Sequence, residues 1–208
     1  MQAPTVRQRA AAGLLAAATL LLACFSAPAS AARLPGGSQA DGAGAVALPT
    51  AAAPLAAGTL AVLPSDADMQ NLEATLGYQF LNKWLLREAL IHPSYGEFNN
   101  ARLTWIGDAV LGSIVSDLVF QALPPSATTA DLHNARMAHV SRASCAVHAR
   151  SLNLQHMLVL GKGYEGTEPT PHMLAEAFEA VWGAIHVDLG FKIDVAKKSY
   201  ALLFPVEG

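Results

Sequence analysis

The sequence has 208 residues, is 52% apolar and 14% charged, and carries a formal net charge of −3. Such a composition excludes a solvated, disordered chain as the overall description. Glycines without a period and only two cysteines exclude a collagen-like or disulfide-knotted fold, and no strongly basic body announces nucleic acid by charge alone.

The amino terminus has the three parts of a targeting presequence. Arg7 and Arg9 precede an apolar centre over 14–25, the run Ala27-Pro28-Ala29-Ser30-Ala31 closes it, and no acidic residue precedes Asp41. The apolar centre falls short of the ~20 residues that a spanning helix needs, and Pro28 ends it. The expectation is a signal or transit peptide over 1–32, with no stable membrane anchor in the mature form. The protein would then leave the cytosol for an organelle (chloroplast or mitochondrion) or the secretory pathway. Residues 33–65, rich in Ala, Gly, Pro and Ser, read as a low-complexity linker. Cleavage would remove Cys24 and leave Cys145 alone, as a buried helical thiol.

From residue 66 the pattern is helical. Asp66 or Asp68 can cap a first helix reaching Leu76, with Gly77 as its stop. Trp84, Leu85, Ala89 and Leu90 mark a second, ended by His92-Pro93. Asn99 or Asn100 caps a third, where Leu103, Ile106, Val110, Ile114 and Leu118 recur at helical spacing. After the loop Leu123-Pro124-Pro125-Ser126, one continuous helix is expected over 129–152. A connection rich in glycine and proline over 158–171 leads to a fifth helix, carried by Leu174, Phe178, Val181, Ile185 and Leu189 and stopped by Gly190. A last helix fits 193–204. No strand pair or βαβ alternation is visible, so the fold class is all-α: a helical bundle in one domain over 66–208.

Asp108 lies on the flank of the third helix's apolar stripe, with Thr104 and Ala101 one and two turns before it. Glu176 and Glu179 point away from the Leu174–Phe178–Ile185 side of the fifth. Brought together, these helices would gather three carboxylates, a donor set that suits Mg²⁺ and phosphoryl displacement. Taken singly, acids opposite an apolar stripe are more often a solvated helix face.

Several motifs are more specific. They are Leu76-Gly77-Tyr78-Gln79-Phe80, Ile91-His92-Pro93-Ser94-Tyr95, Asn100-Ala101-Arg102-Leu103 through Gly107-Asp108-Ala109-Val110-Leu111, Leu160-Gly161-Lys162-Gly163, and Leu174-Ala175-Glu176-Ala177-Phe178-Glu179-Ala180. Together with Arg136, Val140-Ser141, Gly183-Ala184 and Asp188, they resemble the ribonuclease III domain in order and spacing over most of 70–200. The resemblance implies a helical, dimeric endonuclease domain that cuts double-stranded or structured RNA with Mg²⁺ (or Mn²⁺). It implies Asp108 and Glu179 as catalytic residues and Asp108, Glu176 and Glu179 as metal ligands, Glu176 standing where an aspartate is usual. It places Trp105 at the centre of a two-fold interface, against the alternative of a position in the monomer core.

The chain also departs from that pattern. Ala101 and Thr104 stand where the family has two glutamates, and Asp131 is the only acid near the start of the next helix. Thr104 is the more serious loss, because a neutral hydroxyl is a weak ligand for a hard dication. Acidic residues outnumber basic ones from 66 onward, which weakens phosphate attraction. Ending at Gly208, the chain is expected to lack a separate double-stranded-RNA-binding domain, as in short, targeted ribonuclease III-like proteins of plants and algae. The expected function is RNA processing with weakened or lost Mg²⁺-dependent cleavage. The alternatives are a non-catalytic RNA-binding or assembly component of an organellar ribonucleoprotein, and a secreted helical protein without RNA. His92 reads as a structural hydrogen-bonding residue, and the other histidines as surface residues without ligand spacing. Gly161-Lys162-Gly163 lacks the rest of a phosphate-loop pattern. Arg102, Arg136 and Arg142 fit either RNA contacts or surface ion pairs.

Overall fold

The computed structural model describes residues 63–207. The expected presequence and nearly all of the expected linker lie outside the described residues. Seven α-helices are found among those described: α1 (Asp66–Leu76), α2 (Lys83–Ala89), α3 (Ala101–Ala122), α4 (Thr129–Val140), α5 (Arg142–Ser151), α6 (Pro171–Asp188) and α7 (Asp194–Leu203). Two 3₁₀ turns, Leu154–His156 and Lys162–Tyr164, fall between α5 and α6. There is no strand among the described residues, only one parallel bridge between Ile91 and Val159. The architecture is all-α.

The first two helices begin on side-chain caps that satisfy otherwise orphaned N–H groups. At α1 the cap is Ser65 rather than either aspartate. Asp68 serves as its reciprocal partner, accepting from the Ser65 N–H at 3.1 Å. Gly77, at φ 62°, ends that helix in the left-handed conformation that favours glycine. Asn82 caps α2 by accepting from the Trp84 N–H.

The helix expected over 129–152 is two helices. Ser141 leaves the helical conformation (φ −63°, ψ 151°) and serves both neighbours. Its N–H donates to Met137 O at 3.1 Å to close α4, and its hydroxyl accepts from the Ser144 N–H at 3.3 Å to open α5. Apolar periodicity is blind to this break, because a serine hydroxyl can offer the backbone an alternative to the helical ladder without changing the pattern.

Helix α6 is the centre of the bundle. It starts at Pro171 behind the Thr170 cap, nearly a turn before the first apolar landmark at Leu174. Leu174, Phe178, Val181, Trp182 and Ile185 are fully buried, so α6 is apolar around most of its circumference. Its most extensive neighbours are α3 and α5. Helix α3 is long and apolar enough to cross a membrane by composition, yet Val110, Leu111, Ile114 and Val115 are buried in the bundle core.

The α3–α6 crossing is unusually close for a steric reason. A Cβ placed on Gly107 would lie 1.8 Å from the Glu179 carbonyl oxygen, and one on Gly183 would lie 2.2 Å from the Leu103 carbonyl oxygen. Only hydrogen at both positions lets the two backbones touch. Around the far end of α6, Trp182, Tyr200, Phe204 and Phe178 pack as edge-on and tilted rings, with His148 4.2 Å from the Phe204 centroid. His139, His148 and His186, expected on the surface, are half-buried here, and Cys145 is buried as expected.

Candidate active site

The Gly107–Gly183 contact decides what stands beside it. On α3, Asp108 follows Gly107 and Thr104 lies one turn earlier. On α6, Glu179 lies one turn before Gly183, and Glu176 a further turn back. Close approach of the two backbones therefore brings these four side chains to one open depression of about 490 Å³. Trp105, Ala109, Arg142, His172 and Ala175 complete its lining. The three carboxylates expected to converge do share this surface.

Their charges act on one another. Burial first, then the charges of Asp108 and Glu176, push the Glu179 carboxyl up to about 7, and the Arg142 guanidinium pulls it partly back. Among the described residues, Arg142 is the only lysine or arginine in the lining. It arrives there as the first residue of α5, so its place depends on the break at Ser141.

Glu176 has an imidazole on either side. His92 Nε2 lies 3.6 Å from its Oε2, and His172 Nε2, one turn earlier on α6, lies 3.5 Å from its Oε1. His92 is itself fixed by the loop before α3. The Ser94 N–H donates to His92 Nδ1 at 3.1 Å, and the Ser94 hydroxyl lies 2.8 Å from the same nitrogen. The Ser94 hydroxyl also accepts from the Gly161 N–H at 3.0 Å. A Cβ on Gly161 would fall 1.9 Å from Ser94 O, so the glycine of Gly161-Lys162-Gly163 serves close backbone approach.

The departures expected to matter have definite roles. Thr104, half-buried, donates its hydroxyl to the Glu176 main-chain oxygen at 3.1 Å, which ties α3 to α6. Ala101 is exposed and carries no group toward the depression. Asp131 is committed elsewhere, because it completes the capping box of α4 with Thr128. Trp105 is 78% exposed, which excludes the alternative of a monomer-core position. His92 was read as a structural hydrogen-bonding residue, Arg142 as an RNA contact or ion-pair partner and His172 as a surface residue, and the structure brings all three beside the acids. The His172–Glu176 interval of four residues was the one readable signal among them.

Asp108 and Glu179 have the chemistry for a hard dication that keeps most of its water, since Mg²⁺ is commonly bound through one or two carboxylates plus substrate phosphates. No group of three or more His, Cys, Asp or Glu side chains is arranged as a metal cage among the described residues.

Residues 82–201 match the family described as Ribonuclease-III-like. The chain is 38% identical over 128 residues to a Ribonuclease 3 of Campylobacter jejuni, covering 60% of this chain and 57% of that protein. It is 37% identical over 137 residues to the Ribonuclease 3 of Desulforamulus reducens, covering 62% and 55%. The chain thus spans a little over half the length of these curated relatives. Among solved structures, a nuclease domain of Campylobacter jejuni ribonuclease III, described for flexibility in a region involved in dimer formation, superposes with a TM-score of 0.61 at 36% identity. That match covers 66% of this chain and 99% of the other. A second structure of that nuclease domain gives 0.59 at 38% identity, over 65% and 95%. Sequence and fold agree, and the chain belongs to the ribonuclease-III-like family.

Proposed function

We propose that residues 66–208 form a ribonuclease III-like endonuclease domain acting on structured or double-stranded RNA, with Mg²⁺- or Mn²⁺-dependent cleavage weakened relative to an intact acid set. The observation that carries this is the meeting of Asp108, Glu176 and Glu179 with Arg142 in one depression. Asp108 and Glu179 would hold the cation, with Glu176 beside them. The cation, when bound, supplies Lewis-acid stabilisation of the charge that builds on a phosphodiester during in-line displacement. The carboxylates alone would repel a phosphate, so their neutralisation is a condition of substrate approach. Arg142 offers the positive charge that orients a phosphate oxygen, and His92 faces the Glu176 carboxylate. Thr104 contributes no charge, which is the reason for expecting a weaker site.

A second reading is favoured by those same neutral positions. With Ala101 and Thr104 in place of acids, and acidic residues in excess, the domain would serve as a non-catalytic RNA-binding or assembly component of an organellar ribonucleoprotein. One assay separates the two. Full-length protein is incubated with labelled duplex RNA in Mg²⁺ or EDTA, beside Glu179→Gln and Thr104→Glu. Cleavage that needs Mg²⁺, is lost in Glu179→Gln and rises in Thr104→Glu supports the enzyme. RNA binding without cleavage in any form supports the second reading.

Two further proposals concern the whole chain. Residues 1–32 act as a presequence that directs the protein to an organelle or the secretory pathway, and the mature protein assembles as a homodimer through α3.

A further inference from the structure

We infer that the loop before α2 and the turn after α6 form a patch that attaches the protein reversibly to an anionic lipid surface. Leu81, Trp84 and Phe191 would enter the lipid, with Lys83 and Lys192 around them. One carboxylate joins the two segments. Asp188, the last residue of α6, accepts from the Leu81 N–H at 2.7 Å, the Asn82 N–H at 2.9 Å and the Tyr78 hydroxyl at 2.7 Å. It seats the start of α2 on the end of α6, three residues before Phe191. What this seating presents to solvent is apolar: Leu81 is 87% exposed, Phe191 56% and Trp84 40%. Single exposed apolar residues are ordinary, whereas several gathered at one place mark an interaction surface. Phe191 also carries backbone strain. Its φ of 65° lies in the left-handed region, which is costly for a residue with an aromatic side chain. The ring meets His186 edge-on at 5.5 Å yet stays more than half exposed, so core burial does not offset that cost.

The charges decide what this patch faces. Asp188 is taken up by its three donors, and the buried Glu73 accepts from Lys83 Nζ. The Lys83 ammonium of that pair stays half exposed, Lys192 is exposed beside Phe191, and the exposed Asp66 is paired with Arg87. Cations thus stand at the surface among protruding apolar groups, and two acids lie beneath. An anionic bilayer takes up this combination. Apolar and aromatic tips enter the headgroup boundary, and ammonium groups meet lipid phosphate. A protein partner would need a matching pocket for side chains that stand this far out, whereas a bilayer needs none. Asp188 lies nine residues beyond Glu179 on α6, about 14 Å along the helix axis, so the patch and the acid depression are apart.

The test uses the full-length chain labelled with fluorotryptophan, and vesicles of phosphatidylcholine with or without phosphatidylglycerol that carry a nitroxide-labelled lipid. Loss of ¹⁹F signal relative to unlabelled vesicles reads how closely each tryptophan approaches lipid. Trp84 marks the patch, Trp105 an exposed position on α3 and Trp182 the core. With phosphatidylglycerol, Trp84 is expected to lose about twofold or more of the signal that Trp105 loses. Leu81→Ser, alone and with Phe191→Gly, is expected to reduce and then abolish that preference while circular dichroism shows the fold retained. Attachment through another part of the chain, the apolar amino terminus included, would leave the preference unchanged in these variants. That result, an equal loss at Trp84 and Trp105, or the same preference on phosphatidylcholine alone would each overturn the inference. So would self-association that the double variant abolishes without any preference for Trp84 on vesicles, which would assign the patch to a second copy.

Discussion

His148 shows how much a single residue's protonation can matter away from the acid site. Burial first, then the neighbouring His139, lowers its pKa to about 4, and its buried Nε2 has no hydrogen-bond partner. Charging it would place an uncompensated cation among Phe178, Phe204 and His139. The sign follows from proton counting. Between the ordinary histidine value of 6.5 and about 4, the unfolded chain binds a proton that the folded chain refuses, so stability falls as pH drops through that interval. Urea denaturation midpoints at pH 7 and pH 5 should decline, and His148→Phe should flatten the decline. An equal slope in the variant would place the pH sensitivity elsewhere, for instance at His139 or His186, which burial also lowers.

At the scale of elements, the crossing of α3 and α6 is the decisive feature, and it predicts a sharp mutational contrast. Gly107→Ala drives a methyl into the Glu179 carbonyl. The backbones must separate, so a loss above about 4 kcal/mol, or failure to fold, is expected. Gly112→Ala on the same helix meets nothing within 4 Å and should keep the fold, with a gain of up to about 1 kcal/mol in helix propensity. Thermal melts followed by circular dichroism compare the two. Most helices could be read from apolar spacing, because burial along one face writes a 3.6-residue period into the sequence. The Ser141 break could not, since both halves keep apolar residues toward the core. Asp108 and Glu179 were legible through motif order. The placement of His92 and Arg142 was not, because the loop before α3 sets His92 beside Glu176 and a helix break brings Arg142 to the depression, and neither leaves a periodic trace.

At the scale of the whole molecule, one face of α3 has no partner among the described residues. Trp105 and Phe120, at opposite ends of α3, are 78% and 72% exposed. Between them on the same side lie Ala109, Gly112, Ser113 and Ser116, residues small enough for another helix to approach closely. A two-fold axis through this face would use the patch twice and pair an aromatic end with an aromatic end or with the small centre. Trp105→Ala is therefore expected to give a folded, helical monomer, with a dimerisation loss of about 2 kcal/mol or more. Sedimentation measures the association, and circular dichroism confirms retained helix. A wild-type chain that sediments as a monomer at high concentration would exclude this assembly.

The elbow at Ser141 has an electrostatic consequence for the acid surface. By starting a new helix there, the chain places the amino-terminal end of α5 at the depression lined by Asp108 and Glu179, where Arg142 is its first residue. The aligned peptide dipoles of that helix add a partial positive charge of roughly half a unit at that end. A straight helix over 129–152 would have buried that positive end in its own interior. The bend instead supplies the carboxylates with a built-in counter-charge, made of backbone and carried by the fold before any ion or substrate arrives.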